Sequence, residues 1–114
     1  MLRPEVLRND KDFDILYKKG KSIGGKYIVL FYRKNNLSYN RRAFLASKKV
    51  GNSVIRNRAR RLIKESYRDF EEKLAPGFDI LFIARNTING TKCQNVKKSM
   101  YGVLKRAGLL TGGK

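Results

Sequence analysis

The sequence predicts a single compact α+β domain, and three observations carry that expectation. Apolar residues recur at helical spacing over 11–19, 54–74 and 92–107. Runs rich in β-branched and aromatic residues occupy 26–34, 41–47 and 78–84. Glycine or proline punctuates the junctions. The predicted order is α-β-β-α-β-α, a β-sheet packed with helices, in one domain over 1–114 with short flexible tails at 1–8 and 109–114. A chain of 114 residues can bury a modest core without staples.

Each element has its own signal. Asn9-Asp10 precedes the first helical stretch and Gly20 follows it, a cap and a stop. Phe13, Leu16 and Tyr17 fall on one side of it. The acids Asp10, Asp12 and Asp14 match the positive end of the helix dipole. They lack the glycine and distal glutamate of a calcium loop. Ser22-Ile23-Gly24-Gly25 reads as a turn. In the next strand Tyr27, Val29, Phe31 and Arg33 alternate with Ile28, Leu30, Tyr32 and Lys34. Both faces are apolar, so one meets the core and the other needs a second cover or a ligand. Residues 35–40 read as a hairpin-type connection, which places the strand over 41–47 antiparallel to the first.

Pro76-Gly77 breaks the chain before the run 78–84, which reads as a buried strand. Strand, long helix, strand implies a crossover with parallel pairing. Over 92–107, Cys93, Val96, Met100, Val103, Leu104 and Ala107 form the apolar stripe and Gly108 the cap. Lys92, Lys97, Lys98, Lys105 and Arg106 lie mostly off that stripe, as solvated charges do.

The central helix is unlike the others. Ile55, Ala59, Leu62, Ile63, the small Ser66, Phe70 and Leu74 make its stripe. Asn57, Arg61, Lys64 and Arg68 lie nearly opposite, with Arg56, Arg58 and Arg60 on the flanks. Gly51-Asn52-Ser53 supplies the start, Asn52 or Ser53 as cap. Cations crowd the first turns, where the dipole disfavours them, and Glu65, Asp69, Glu71 and Glu72 come later. A merely solvated face would not need that order. Free N–H groups, the dipole and clustered arginines together suit phosphate.

Composition points the same way. Net charge is +18, from 27 basic and 9 acidic residues, which calls for a polyanionic partner: RNA, DNA or an anionic membrane. The basic helix lacks the broad exposed apolar face of a membrane-surface helix, because its stripe is needed for the core. No apolar run approaches the ~18–20 residues of a membrane span, and the N-terminal residues lack a signal-peptide core. Cytoplasm is the expected location. Cys93 is the single cysteine, so no intramolecular disulfide or cysteine-cluster metal site forms. With no histidine, neither a Ser/His/Asp nor a Cys/His arrangement can be built. No catalytic residue and no metal ligand is assigned to the protein, which is read as a binder. On composition alone a non-enzymatic RNA-binding module, such as a ribosomal protein, stays open. Aromatics concentrated before residue 45 and interleaved with Lys and Arg suit base stacking; periodicity leaves open whether they form a cleft or plain core.

The segment Lys48-Lys49-Val50-Gly51-Asn52-Ser53-Val54-Ile55-Arg56-Asn57-Arg58-Ala59-Arg60-Arg61-Leu62-Ile63 closely resembles the "RNR" signature of the bacterial ribonuclease P protein family. Ser53 stands in place of an alanine there. The resemblance covers nearly the whole chain. It implies a ribosomal protein S5 domain 2-like fold with a left-handed βαβ crossover, whereas the general preference is for right-handed ones. It also implies the role of a protein subunit whose RNA partner performs catalysis: Mg²⁺-dependent endonucleolytic removal of the 5′ leader from precursor tRNA, with Mg²⁺ held chiefly by the RNA. The implied partners are the catalytic RNA, with one protein per RNA, and precursor tRNA. Lys48, Lys49, Asn52, Arg56, Asn57, Arg58, Arg60, Arg61, Lys64 and Arg68 are the implied RNA contacts. Phe13, Tyr17, Phe31, Ser47, Lys48 and, more weakly, Tyr27 are the implied walls of a cleft for the leader. Tyr17 stands where phenylalanine is common in the family.

Overall fold

The structure, a computed structural model, describes residues 4–111. In chain order it comprises α1 (Asp10–Lys19), β1 (Lys21–Gly24), β2 (Ile28–Lys34), β3 (Arg41–Leu45), α2 (Ser53–Arg68), β4 (Phe78–Ala84) and α3 (Cys93–Ala107), with short 3₁₀ turns at Glu71–Lys73 and Asn86–Ile88. The four strands form one sheet in the order β1-β2-β4-β3.

β4 is the sheet's spine. Ile80, Leu81 and Phe82 are fully buried, so the strand needs cover on both faces and a neighbour on both sides. It runs antiparallel to β2, with Leu30 opposite Phe82, and parallel to β3, with Phe44 opposite Phe82. The parallel pairing predicted for strand–helix–strand is present. The predicted hairpin between the strands over 26–34 and 41–47 is not: β3 lies antiparallel in direction to β2, but β4 sits between them. A gap of two strand spacings is roughly 10 Å, and the connection 35–40 is long enough to cross it.

Even-numbered residues of β2 and β4 (Ile28, Leu30, Ile80, Phe82) face α2 and α3, with Ala59, Ile63, Val96, Met100, Val103 and Leu104 opposite them. Odd-numbered residues (Phe31, Leu81, Ile83), with Ala43 and Leu45 of β3, face α1, where Leu16 is the buried anchor. The sheet is thus a middle layer, with one helix on one side and two on the other.

Several boundaries differ from the sequence reading. Residues 21–24, read as turn, form the edge strand β1, and Gly25 begins the turn proper, its N–H bonded to the Ile28 carbonyl at 2.8 Å. With one apolar residue, Ile23, the strand carries too little alternation to be seen. The helical pattern over 54–74 holds only to Arg68. Asp69 and Phe70 donate to carbonyls three residues back, tightening the last turn, and the Ser66 hydroxyl bonds the Leu62 carbonyl at 2.8 Å, a contact that bends helices. The predicted tails are also tied down where described. Val6 bridges Arg42 of β3, Leu7 is buried, Leu109 is buried and Leu110 bridges Leu74. Residues 1–3 and 112–114 lie outside the described residues.

Candidate nucleic-acid interface

The first turn of α2 is closed by Asn52, whose Oδ1 accepts the Ile55 N–H at 3.0 Å. No acid lies in that turn. Ala59, Ile63, Ser66 and Tyr67 are buried, Leu62 is half-buried, and Asn57, Arg58, Arg61, Lys64 and Arg68 face solvent. Ile55, expected inside, is 37% exposed: it sits in the first turn and covers Gly51 rather than the sheet core. Tyr67 was missing from the predicted stripe. It packs its ring at 5.4 Å from Phe44 and 5.9 Å from Phe82. Burial above all, with Glu71 next and Arg42 opposing, pushes its phenol up to about 12.

Among the described residues the acids pair with cations outside α2. Asp12 and Asp79 pair with Arg41, Glu71 with Arg42 and Asp69 with Lys97. Within the basic segment the contacts are lighter. Arg58 donates to the Thr91 carbonyl at 3.0 Å, Arg60 to Asn57 Oδ1, and Arg56 to the Ser53 hydroxyl at 3.4 Å. Arg56 is half-buried, and its Nε has no hydrogen-bond partner among the described residues. Arg61, Lys64 and Arg68 make no such contact among those residues. Asn57, Arg60, Arg61 and Lys64 line a groove of about 630 Å³ with Phe44 and Val54. Guanidinium forks beside an aromatic ring suit phosphate and base together. Lys48 and Lys49 are exposed on the turn leading into this helix.

On the opposite face of the sheet, Phe13 and Phe31 are half-buried on the cluster formed by Leu7, Leu16, Ala43 and Leu81. Tyr17 is 44% exposed and meets Phe31 edge-on, ring centroids 5.2 Å apart. Burial, then the Asp14 carboxylate, raises the Tyr17 phenol above its ordinary value, so the ring presents a neutral hydroxyl. These three aromatics, grouped by the family resemblance, lie together on this face of the sheet. Tyr27 is not with them. It precedes β2, where the alternation has not begun, and packs against the α2–α3 side with Lys26 over its ring. Ser47 and Lys48, read as the end of a strand, follow β3 on an exposed turn. A second groove, of about 500 Å³, runs from Phe13 past Leu45 to Phe44 and Lys64. It links the aromatic face to the basic helix around the β3 edge.

Arg41 escapes the sequence reading, in which Phe44 figures only among the aromatics before residue 45. Arg41 of β3 holds Asp79 of β4 with both ends of its fork, at 2.8 and 2.7 Å. That bonding raises its pKa against the opposing effect of partial burial. Phe44 lines both grooves. The signal for Arg41 was an aspartate inside an apolar strand run, which needs a partner.

No group of three carboxylate, histidine or cysteine side chains converges among the described residues. Among the same residues no helix is long and apolar enough to cross a membrane.

A three-layer α+β domain with an arginine-rich helix and an aromatic face joined to it around one sheet edge belongs to the class of small basic proteins shaped for a polynucleotide. Comparison with known proteins narrows that class. The family model described as Ribonuclease P matches residues 1–108. The ribonuclease P protein component of Clostridioides difficile (strain 630) is 45% identical over 105 residues, covering 91% of this chain and 92% of that protein. The RNase P protein of Staphylococcus aureus superposes with a TM-score of 0.85 at 28% identity, over 96% of this chain and all of that one. That of Thermotoga maritima gives 0.80 at 31% identity, over 90% and 96%. The chain belongs to the ribonuclease P protein family.

Proposed function

We propose that this chain is the protein subunit of a ribonuclease P holoenzyme. It binds the catalytic RNA through α2 and the 5′ leader of precursor tRNA across Phe13, Tyr17 and Phe31, one copy per RNA, in the cytoplasm. Hydrolysis belongs to the RNA, as does most of the Mg²⁺; the protein supplies affinity and orientation. The observation that carries this reading is the cationic arc of α2, whose arginines find no carboxylate of their own chain among the described residues. Cations there screen the phosphates of catalytic RNA and leader as they approach one another. The aromatic face adds stacking of about 1–3 kcal/mol per base, tolerant of sequence, as a substrate set with differing leaders requires.

The test is cleavage of precursor tRNA by a bacterial ribonuclease P RNA at low Mg²⁺, with and without this protein. Strong stimulation, fading as Mg²⁺ is raised, is expected. Absence of stimulation would leave the chain an RNA-binding module without this role.

A further inference from the structure

We infer that Arg41 and Asp12 form a strut that sets the position of α1 over the sheet, and that this strut is a positioning device for leader binding. The inference rests on the leader-cleft reading above. α1 carries two of the three aromatics, and its apolar hold on the sheet is Leu16, its one fully buried residue, with Phe13 half-buried on the same cluster. The second hold is polar. Arg41 grips Asp79 with Nε and Nη2, and its remaining nitrogen, Nη1, reaches Asp12 Oδ2 at 3.2 Å. Asn35 donates to the same Asp79 at 3.0 Å, so the anchor is fixed from a second side. Asp79 is nearly buried on β4, the strand paired on both sides, opposite Arg33 of β2 and Arg41 of β3.

Asp12 directly precedes Phe13, and Tyr17 lies a little over one turn further along the same helix. A guanidinium anchored on β4 therefore fixes the N-terminal half of α1 in height and rotation about Leu16. Without the strut, α1 keeps its apolar pivot but can roll, and the spacing of Phe13 and Tyr17 from Phe31 is no longer set. Base stacking depends on that spacing.

Charge and geometry make opposite predictions, which gives a clean test. Removing Asp12 takes a carboxylate away from an RNA-binding face; simple electrostatics predicts tighter binding of a polyanion. A positioning role predicts weaker binding. Asp12→Ala and Asp12→Asn change the net charge equally, but only asparagine keeps an acceptor facing Arg41. In the holoenzyme, Asp12→Ala is expected to weaken binding of precursor tRNA by about three- to tenfold, the range of one ordinary hydrogen bond. Mature tRNA affinity should be unchanged, and Asp12→Asn should recover most of the loss. Phe13→Ala is the control. If it weakens precursor and mature tRNA alike, the leader-cleft reading fails and the strut with it. If Phe13→Ala is selective for precursor while Asp12→Ala leaves precursor binding unchanged or tightens it, the strut alone is refuted. Should Asp12→Ala lower the melting temperature, the Asn variant, matched in charge, still separates geometry from electrostatics: equal precursor affinity in the two variants overturns the proposal.

Discussion

Tyr67 shows how one side chain reports on the join between helix and sheet. Its ring is wedged between Phe44 and Phe82, with the Arg42 guanidinium 5.8 Å from its centroid. Burial pushes the phenol up from the ordinary 10 to about 12. A folded pKa raised above the unfolded value contributes stability that is intact below pH 10 and lost as pH rises toward 12. A difference of that size corresponds to roughly 2–3 kcal/mol. Tyr67→Phe keeps the ring and removes the titration. Its unfolding free energy, measured against denaturant at successive pH values, should fall less steeply over that interval than the wild type's. Parallel curves would mean that the hydroxyl is not held in a dry site.

At the scale of the element, α2 separates stability from binding along its own length. Asn52 serves the helix; Arg60, Arg61 and Lys64 serve the groove. Asn52→Ala should cost about 1 kcal/mol of stability and leave the salt dependence of RNA affinity alone. Replacing Arg60, Arg61 and Lys64 by alanine should do the reverse. The slope of log K against log salt should flatten by about 0.7–0.9 for each phosphate that is no longer neutralised. An unchanged slope would remove α2 from the RNA surface. This division was largely legible in the sequence, because a 3.6-residue period separates the two faces whatever the helix packs on. Strand neighbours were not. Period-2 alternation assigns residues to faces but carries nothing on which strand lies beside which, so β4's insertion between β2 and β3 was invisible. Tyr27 failed for a local reason, since alternation cannot be carried past the end of a strand. The Asp12–Arg41–Asp79 triad joins three elements distant in sequence, and only the fold brings them together.

The whole molecule is governed by its charge. With a net +18 spread over a body of 36 × 35 × 29 Å, screening decides how far each cation feels the rest. The Debye length is about 30 Å at 0.01 M salt and about 8 Å at 0.15 M. At the lower ionic strength every cation interacts across the full width of the protein; at the higher one only neighbours do. The ion pairs of Arg41 with Asp12 and Asp79, contacts of 3.2 and 2.7 Å, are partly buried and are screened far less, whereas Lys97 with Asp69 is exposed and weakens with salt. The free protein should therefore gain stability as salt rises over this range, seen as a rising melting temperature by calorimetry. Bound RNA should reverse the trend. A partner that binds only the folded chain stabilises it by about 2.7 kcal/mol at a hundred times its dissociation constant, and that increment must shrink as salt weakens phosphate contacts. The two melting curves are expected to converge with increasing salt, from below for the free protein and from above for the complex. A free protein whose melting temperature falls with salt would show that its few ion pairs outweigh the repulsion. Its arginine helix would then need no polyanion to relieve it.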